Sequence, residues 1–277
     1  PDRKYSARRS GLFEEGQLVI MIDENSASAS EIVSGAVQDW DRGVIVGRRS
    51  FGKGLVQQPF PLGDGSMIRL TVSRYYTPTG RLIQKPYEEG FEEYSQDLIN
   101  RYNRGELNNA DSILFPESQR YRTLELKRTV YGGGGIMPDF FVPIDTSFFT
   151  DYYRGLISRG ILNSYMLQYV DQHRNELEKQ WPVFNDFRDH FQPGQKELEE
   201  LQEYATEEGM ECDEEQWAVS EKQISLLFKA YMARDLYGMA SFFEIYNSHD
   251  EVFLKAVEIL GDPDPLSKKL ARMAQIK

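Results

Sequence analysis

Ser28 and Lys53 are the two residues of this chain whose types and settings could together do chemistry. A serine hydroxyl attacks a carbonyl carbon once a neighbouring base takes its proton. Lysine can be that base if lost hydration keeps it neutral at working pH. Ser28 lies in Ser26-Ala27-Ser28-Ala29-Ser30-Glu31, a run of small side chains that lets a substrate backbone come close. Lys53 lies between Gly52 and Gly54 with Phe51, Leu55 and Val56 nearby, so an apolar pocket is expected around it. His173, His190 and His249 all fall late in the chain, which argues against a Ser-His-Asp arrangement. Each residue also has a plainer reading. The serines can cap a helix, and the lysine can stand on the surface of a glycine turn.

The elements that must position these residues are legible as apolar patterns. Leu18-Val19-Ile20-Met21-Ile22 is apolar at every position, as in a strand buried on both faces. Asp23-Glu24-Asn25 breaks the run, and residues 26–40 place Ile32, Val33, Ala36, Val37 and Trp40 at helical spacing. Gly43 ends that helix, and Val44-Ile45-Val46-Gly47 reads as the next strand. The pattern predicts a βαβ unit with a parallel sheet and puts Ser28 at a strand-to-helix turn, where free N–H groups and the helix dipole favour a developing oxyanion. Past Gly52, residues 67–72 and 74–77 read as strand and Pro78-Thr79-Gly80 as a turn. Residues 86–130 are polar with scattered aromatics and are expected to be an insertion with some helix. Gly132 to Gly135, followed by Ile136-Met137-Pro138-Asp139, closes the first part. Residues 146–277 show helical spacing such as Ile224, Leu227, Phe228 and Tyr231, and the mostly acidic run 196–215 reads as a solvated helix face or a link. The expected organisation is an α/β part over residues 1–145 and an α-helical domain over 146–277.

Several of these motifs, in this order and spacing, resemble the carboxy-terminal processing peptidases, also called tail-specific proteases. They are Ser26 to Glu31, Phe51-Gly52-Lys53-Gly54 with Gln57, Leu70-Thr71-Val72 with Tyr75-Tyr76-Thr77-Pro78-Thr79-Gly80, and Gly135-Ile136-Met137-Pro138-Asp139. The resemblance extends over residues 16–85 and 132–139. It implies a partial core of the crotonase and ClpP kind, with Ser28 as nucleophile, Lys53 as general base and Gln57 orienting the lysine. The N–H of Ala29, next along from the nucleophile, is the expected oxyanion donor. The resemblance further implies cleavage of proteins near their C-termini and a periplasmic or cell-envelope location. A second oxyanion donor in this family comes from a glycine-rich segment upstream, with no equivalent before Gly16, so the chain is expected to be a poorly active fragment alone.

Composition narrows the alternatives. The net charge is −12, and residues 1–145 carry 18 basic and 20 acidic side chains where residues 146–277 carry 14 and 24. An acidic surface repels phosphate backbones, so nucleic acid is not an expected partner. Protein or peptide substrates are expected, with the helical tail as the candidate surface for self-association or an adaptor protein. Cys212 is the only cysteine, which leaves no intrachain disulfide and no cysteine cluster for zinc, and no cofactor or metal is expected. Pro1-Asp2-Arg3-Lys4 has no apolar run like that of a signal peptide. Two rivals remain. Gly47, Gly52 and Lys53 fit part of a P-loop pattern, but Gly54 stands where Ser or Thr should hold magnesium. A non-catalytic interaction module is the other.

Overall fold

β1 (Val19–Ile22) and β2 (Val44–Gly47) pair in parallel, with Val19 opposite Val44 and Ile22 opposite Gly47. Parallel neighbours need a crossover, and α1 (Ala29–Asp39) supplies it. β7 (Phe140–Phe141) adds in parallel on the far side of β2, giving the order β1-β2-β7. These elements come from a computed structural model that describes residues 6–87 and 90–274; the Pro1-Asp2-Arg3-Lys4 start lies outside the described residues. The chain divides into two units, Pro1–Pro143 with Lys255–Lys277, and Ile144–Leu254.

In the first unit β2 is buried along its whole length, as its Val and Ile content favours. Ile22, Ile45, Ile83 and Ile136 form a small core, against which Ile20, Ile32 and Val37 pack. Helix α1 comes very close to this core at Gly35, where a Cβ would stand 2.9 Å from both Ile136 and Thr77. The expectation that Leu18–Ile22 is buried on both faces does not hold. Ile20 and Ile22 face the core, so alternation turns Met21 to the other face, and it is 46% exposed.

Beyond the lysine loop, β3 (Leu55–Pro61) and β4 (Met67–Arg74) form an antiparallel hairpin with an irregularity between Val56 and Gln57. Nearly every residue of it is exposed, Phe60, Met67, Leu70 and Val72 included. β3 was not expected as strand. Pro59 and Pro61 lack N–H donors, yet a two-stranded ribbon has an unpaired side where that lack costs nothing. The insertion contains α2 (Gly90–Asn103), two short 3-10 turns and the hairpin of β5 (Arg120–Arg122) and β6 (Thr129–Tyr131).

The second unit is helical: α3 (Asp151–Ser158), α4 (Ile161–Gln180), α5 (Phe184–His190), α6 (Gln195–Glu207), α7 (Glu214–Tyr237) and α8 (Met239–Asn247). Its core includes Leu156, Met166, Phe187, Leu201, Ile224 and Phe228. The acidic run is helix α6 with Leu198, Leu201 and Ala205 turned inward, followed by a link into α7. α9 (Glu251–Gly261) and α10 (Leu266–Met273) complete the chain's described elements.

Candidate active site

After β1 the chain turns on Asp23, whose Oδ1 accepts the N–H groups of Asn25 and Ser26 at 3.1 and 2.8 Å and the Ser26 hydroxyl at 2.8 Å. Ser28 follows with φ 55° and ψ −113°, a left-handed conformation that a residue with a Cβ rarely adopts. Strain of this kind costs about 1–3 kcal/mol and persists only where the surroundings enforce it. Serine nucleophiles on other strand-to-helix turns are held in the same strained way, which thrusts the hydroxyl outward. Ser28 is exposed, and the Ala29 N–H has no acceptor among the described residues.

What enforces the turn is Glu31. Its carboxylate is fully buried and accepts four donors: Ser28 N–H at 3.0 Å and Lys53 N–H at 2.8 Å on Oε2, Gly52 N–H at 2.6 Å and Ser50 Oγ–H at 2.5 Å on Oε1. A carboxylate offers about four lone-pair sites, so the set is filled and the buried charge is solvated by the protein itself. One oxygen therefore holds the backbones of Ser28 and Lys53 within two hydrogen-bond lengths of each other. A further bond, Phe51 N–H to the Ser26 carbonyl at 2.9 Å, sews the two loops together. Sequence reasoning quoted Glu31 only as part of the serine-rich motif. The signal that could have found it is the Ser-x-x-Glu spacing, which marks a carboxylate reaching back to the N–H at the start of a helix.

The lysine loop is fixed from behind as well. Ser50 Oγ accepts the Ile136 N–H at 2.7 Å, and the Ser50 N–H donates to the Ile136 carbonyl at 3.1 Å. Gly135 has φ 86°, and a Cβ there would meet the Ser50 carbonyl oxygen at 2.6 Å, so no larger residue fits. The Asp139 carboxylate in turn accepts the Ile45 N–H at 2.8 Å and pairs with Arg128.

Lys53 itself is exposed, and its Nζ has no hydrogen-bond or ion-pair partner among the described residues. The apolar pocket expected around it is not formed by its neighbours. Phe51 turns away to Tyr94 and to Lys85, whose Nζ lies 4.1 Å from each ring centre, and Val56 leaves on the exposed hairpin. Gln57 stands exposed on β3 at the irregular step of the ladder. The structure thus unites the Ser28 and Lys53 backbones, while no hydrogen bond joins Ser28, Lys53 and Gln57 through their side chains.

The partial P-loop pattern meets a different setting. The chain after Lys53 enters a strand, not a helix, and the Gly52 and Lys53 N–H groups that a phosphate would need are taken by Glu31. Among the described residues no cluster of His, Cys, Asp or Glu could hold a metal ion. His173 and His190 lie on α4 and α5, and His249 follows α8.

Parts of the chain are similar to known proteins. Residues 1–92 match the model of peptidase family S41. The carboxy-terminal-processing protease of Bartonella bacilliformis is 48% identical over 81 residues, covering 29% of this chain and 19% of that protein. The chloroplastic C-terminal processing peptidase of Tetradesmus obliquus is 46% identical over 81 residues, covering 29% of this chain and 18% of that protein. A solved photosystem II D1 C-terminal processing protease aligns at 28% identity and a TM-score of 0.27, over 45% of this chain and 20% of that one. The chain spans about a fifth of the length of the curated relatives it matches. Residues 152–238, in the helical unit, match a family of unknown function (DUF8443). No helix among the described residues is long and apolar enough to cross a membrane.

Proposed function

We propose that the S41 segment carries the nucleophile and general base of a serine endopeptidase acting near protein C-termini. The observation that carries this reading is the shared Glu31 oxygen, which ties a strained, exposed Ser28 to the loop bearing Lys53. Neutral Lys53 takes the Ser28 proton as Oγ attacks the peptide carbonyl. The Ala29 N–H, free at the start of α1, receives the oxyanion. Lys53 then returns the proton to the leaving amine, and water hydrolyses the acyl-enzyme. Gln57 orients the lysine. Because Lys53 is exposed, substrate laid over the loop is what strips its hydration and lets it act as base. The helical unit is the surface for protein partners, whether a second copy or an adaptor, and the cell envelope is the compartment that the resemblance favours.

The test is peptide turnover and fluorophosphonate labelling of the full-length protein and three variants. Ser28→Ala should abolish both readouts with the fold intact. Lys53→Arg should be as damaging as Lys53→Ala, since guanidinium stays protonated. Gln57→Ala should lose less, the worth of one orienting hydrogen bond at about 0.5–1.5 kcal/mol. Substantial activity in Lys53→Arg removes Lys53 as the base, normal turnover in Ser28→Ala removes Ser28 as the nucleophile, and an unaltered protein with neither turnover nor labelling points instead to a non-catalytic module.

A further inference from the structure

The S41 match ends at residue 92, yet the loop that carries Lys53 is gripped by residues beyond that point. Arg101, near the end of α2, is 1% exposed and donates Nη1 to the Ser50 carbonyl at 3.1 Å and Nη2 to the Arg49 carbonyl at 2.6 Å. The buried Glu106 carboxylate lies 3.6 Å from Arg101 Nε, 2.7 Å from Arg49 Nη2 and 2.9 Å from Arg104 Nη2. One carboxylate thus faces three guanidinium groups. Burial, with Arg101 beside it, pushes Arg49 down to about 10. The same helix holds the loop at a second point. Lys85 Nζ donates to the Tyr94 carbonyl at 3.1 Å and to Asp97 at 3.0 Å, while the Lys85 N–H bonds the Gly52 carbonyl at 3.0 Å.

The two holds span Arg49 to Gly52, and the donors that this loop gives Glu31 come from Ser50, Gly52 and Lys53. The Ser50 carbonyl is bound by Arg101 and its hydroxyl by Glu31, so the direction in which the hydroxyl points depends on where Arg101 holds the peptide.

We propose that Arg101, braced by Glu106, is a positioning residue for the general base: it sets the loop from Arg49 to Gly52 so that Ser50, Gly52 and Lys53 converge on Glu31. The inference rests on the reading of Ser28 and Lys53 as nucleophile and base, and adds that helix α2, outside the family match, completes the alignment. On the loop Arg101 binds only the Arg49 and Ser50 carbonyls, so it acts on kcat through Lys53 and not on substrate affinity.

The experiment measures kcat and KM separately in the full-length protein for Arg101→Met, Arg101→Lys and Glu106→Gln, with Ser28→Ala alongside and circular dichroism to report the folded fraction. A displacement of about 1 Å at a reacting group costs about 10²-fold, so Arg101→Met should lower kcat by about that factor with KM nearly unchanged. Arg101→Lys, which keeps a charged donor, should recover part of the loss, and guanidinium ion added to Arg101→Met should restore turnover in a saturable way. Glu106→Gln should lower kcat several-fold. Should Arg101→Met fail to fold, Glu106→Gln and Arg101→Lys decide, and wild-type kcat in both overturns the proposal. So does a loss that only tracks the folded fraction, or one that lies in KM. If Ser28→Ala retains turnover, the reading of the site has failed instead, and the two failures are told apart by that variant.

Discussion

In residues 144–254 the interior is mostly rings and aliphatic chains, with Phe187, Leu201, Ile224 and Phe228 fully buried among helices and Ser220 as a fully buried polar side chain. In residues 6–143 the fully buried side chains include Glu31, Asp39 and, almost as deep, Arg81 and Arg101, beside a core cluster of four isoleucines. The difference follows from what each region must hide. Helices satisfy their own backbone groups, so their interior can be apolar throughout. The irregular Ser28 turn and its supporting loops cannot, and each buried N–H or carbonyl there must find a side chain. Glu31 collects three N–H groups and Arg101 two carbonyls. Asp39 likewise accepts the Thr79 N–H and hydroxyl, at 2.9 and 2.7 Å, and faces Arg81 at 2.8 Å. The first unit places irregular backbone with charge, and the second packs regular backbone with hydrocarbon.

The hardest test of that contrast is Arg81→Met. It leaves Asp39 charged and buried, and breaking such a pair from one side costs about 3–5 kcal/mol. Replacing Asp39 and Arg81 together by apolar residues should cost clearly less in urea unfolding, because the orphaned charge goes too. Equal losses in the single and double variants would mean that the pair contributes packing and not charge. Leu201→Ala in the helical unit should cost about 2–5 kcal/mol through lost transfer energy and a cavity. Hydrogen exchange should place that loss in residues 144–254, and a loss spread evenly over both units would dissolve the distinction.

Alkaline pH should separate the units more gently. Burial pushes Tyr153 and Tyr169 up to about 12, Tyr153 helped by Tyr246 and Tyr169 by Glu197, and raises Tyr152 and Tyr165 as well. All four lie in the helical unit. Unfolded tyrosines ionise near about pH 10, so above it the native state binds more protons and stability falls as pH rises. The urea midpoint of the helix signal should therefore drop between about pH 10 and 12, and an unchanged midpoint would show that these hydroxyls ionise in place. The smallest effect should come from Thr150→Ala. The Thr150 side chain caps α3 through the Tyr153 N–H at 3.1 Å, and a lost cap costs about 1 kcal/mol.

How far these arrangements could be read in advance depends on whether the cause is local. The first strand, α1 and β2 were legible because apolar runs broken by Asp23 and Gly43 leave little choice. The helices of the second unit were legible for the same reason, in the period of Ile224, Leu227 and Phe228. β3 was hidden by Pro59, Pro61 and its paired glutamines, which only a hairpin with an open side tolerates. Ser28 and Lys53 could be named by type, but the side-chain setting of Lys53 could not, because apolar neighbours do not reveal which way they point. Arg101 was invisible: its partners Arg49 and Ser50 lie some fifty positions away and are recognised by backbone atoms that any sequence would supply.

The conformation of Ser28 has a consequence for selection. At φ 55° glycine would sit without strain, and serine does not. Were only the fold under selection, replacing Ser28 by glycine would be a downhill step, one that strengthens the protein while removing the proposed nucleophile. Ser28→Ala, which keeps the Cβ and so the strain, gives no such gain. If Ser28 is the nucleophile proposed above, the turn is a place where stability and function pull in opposite directions.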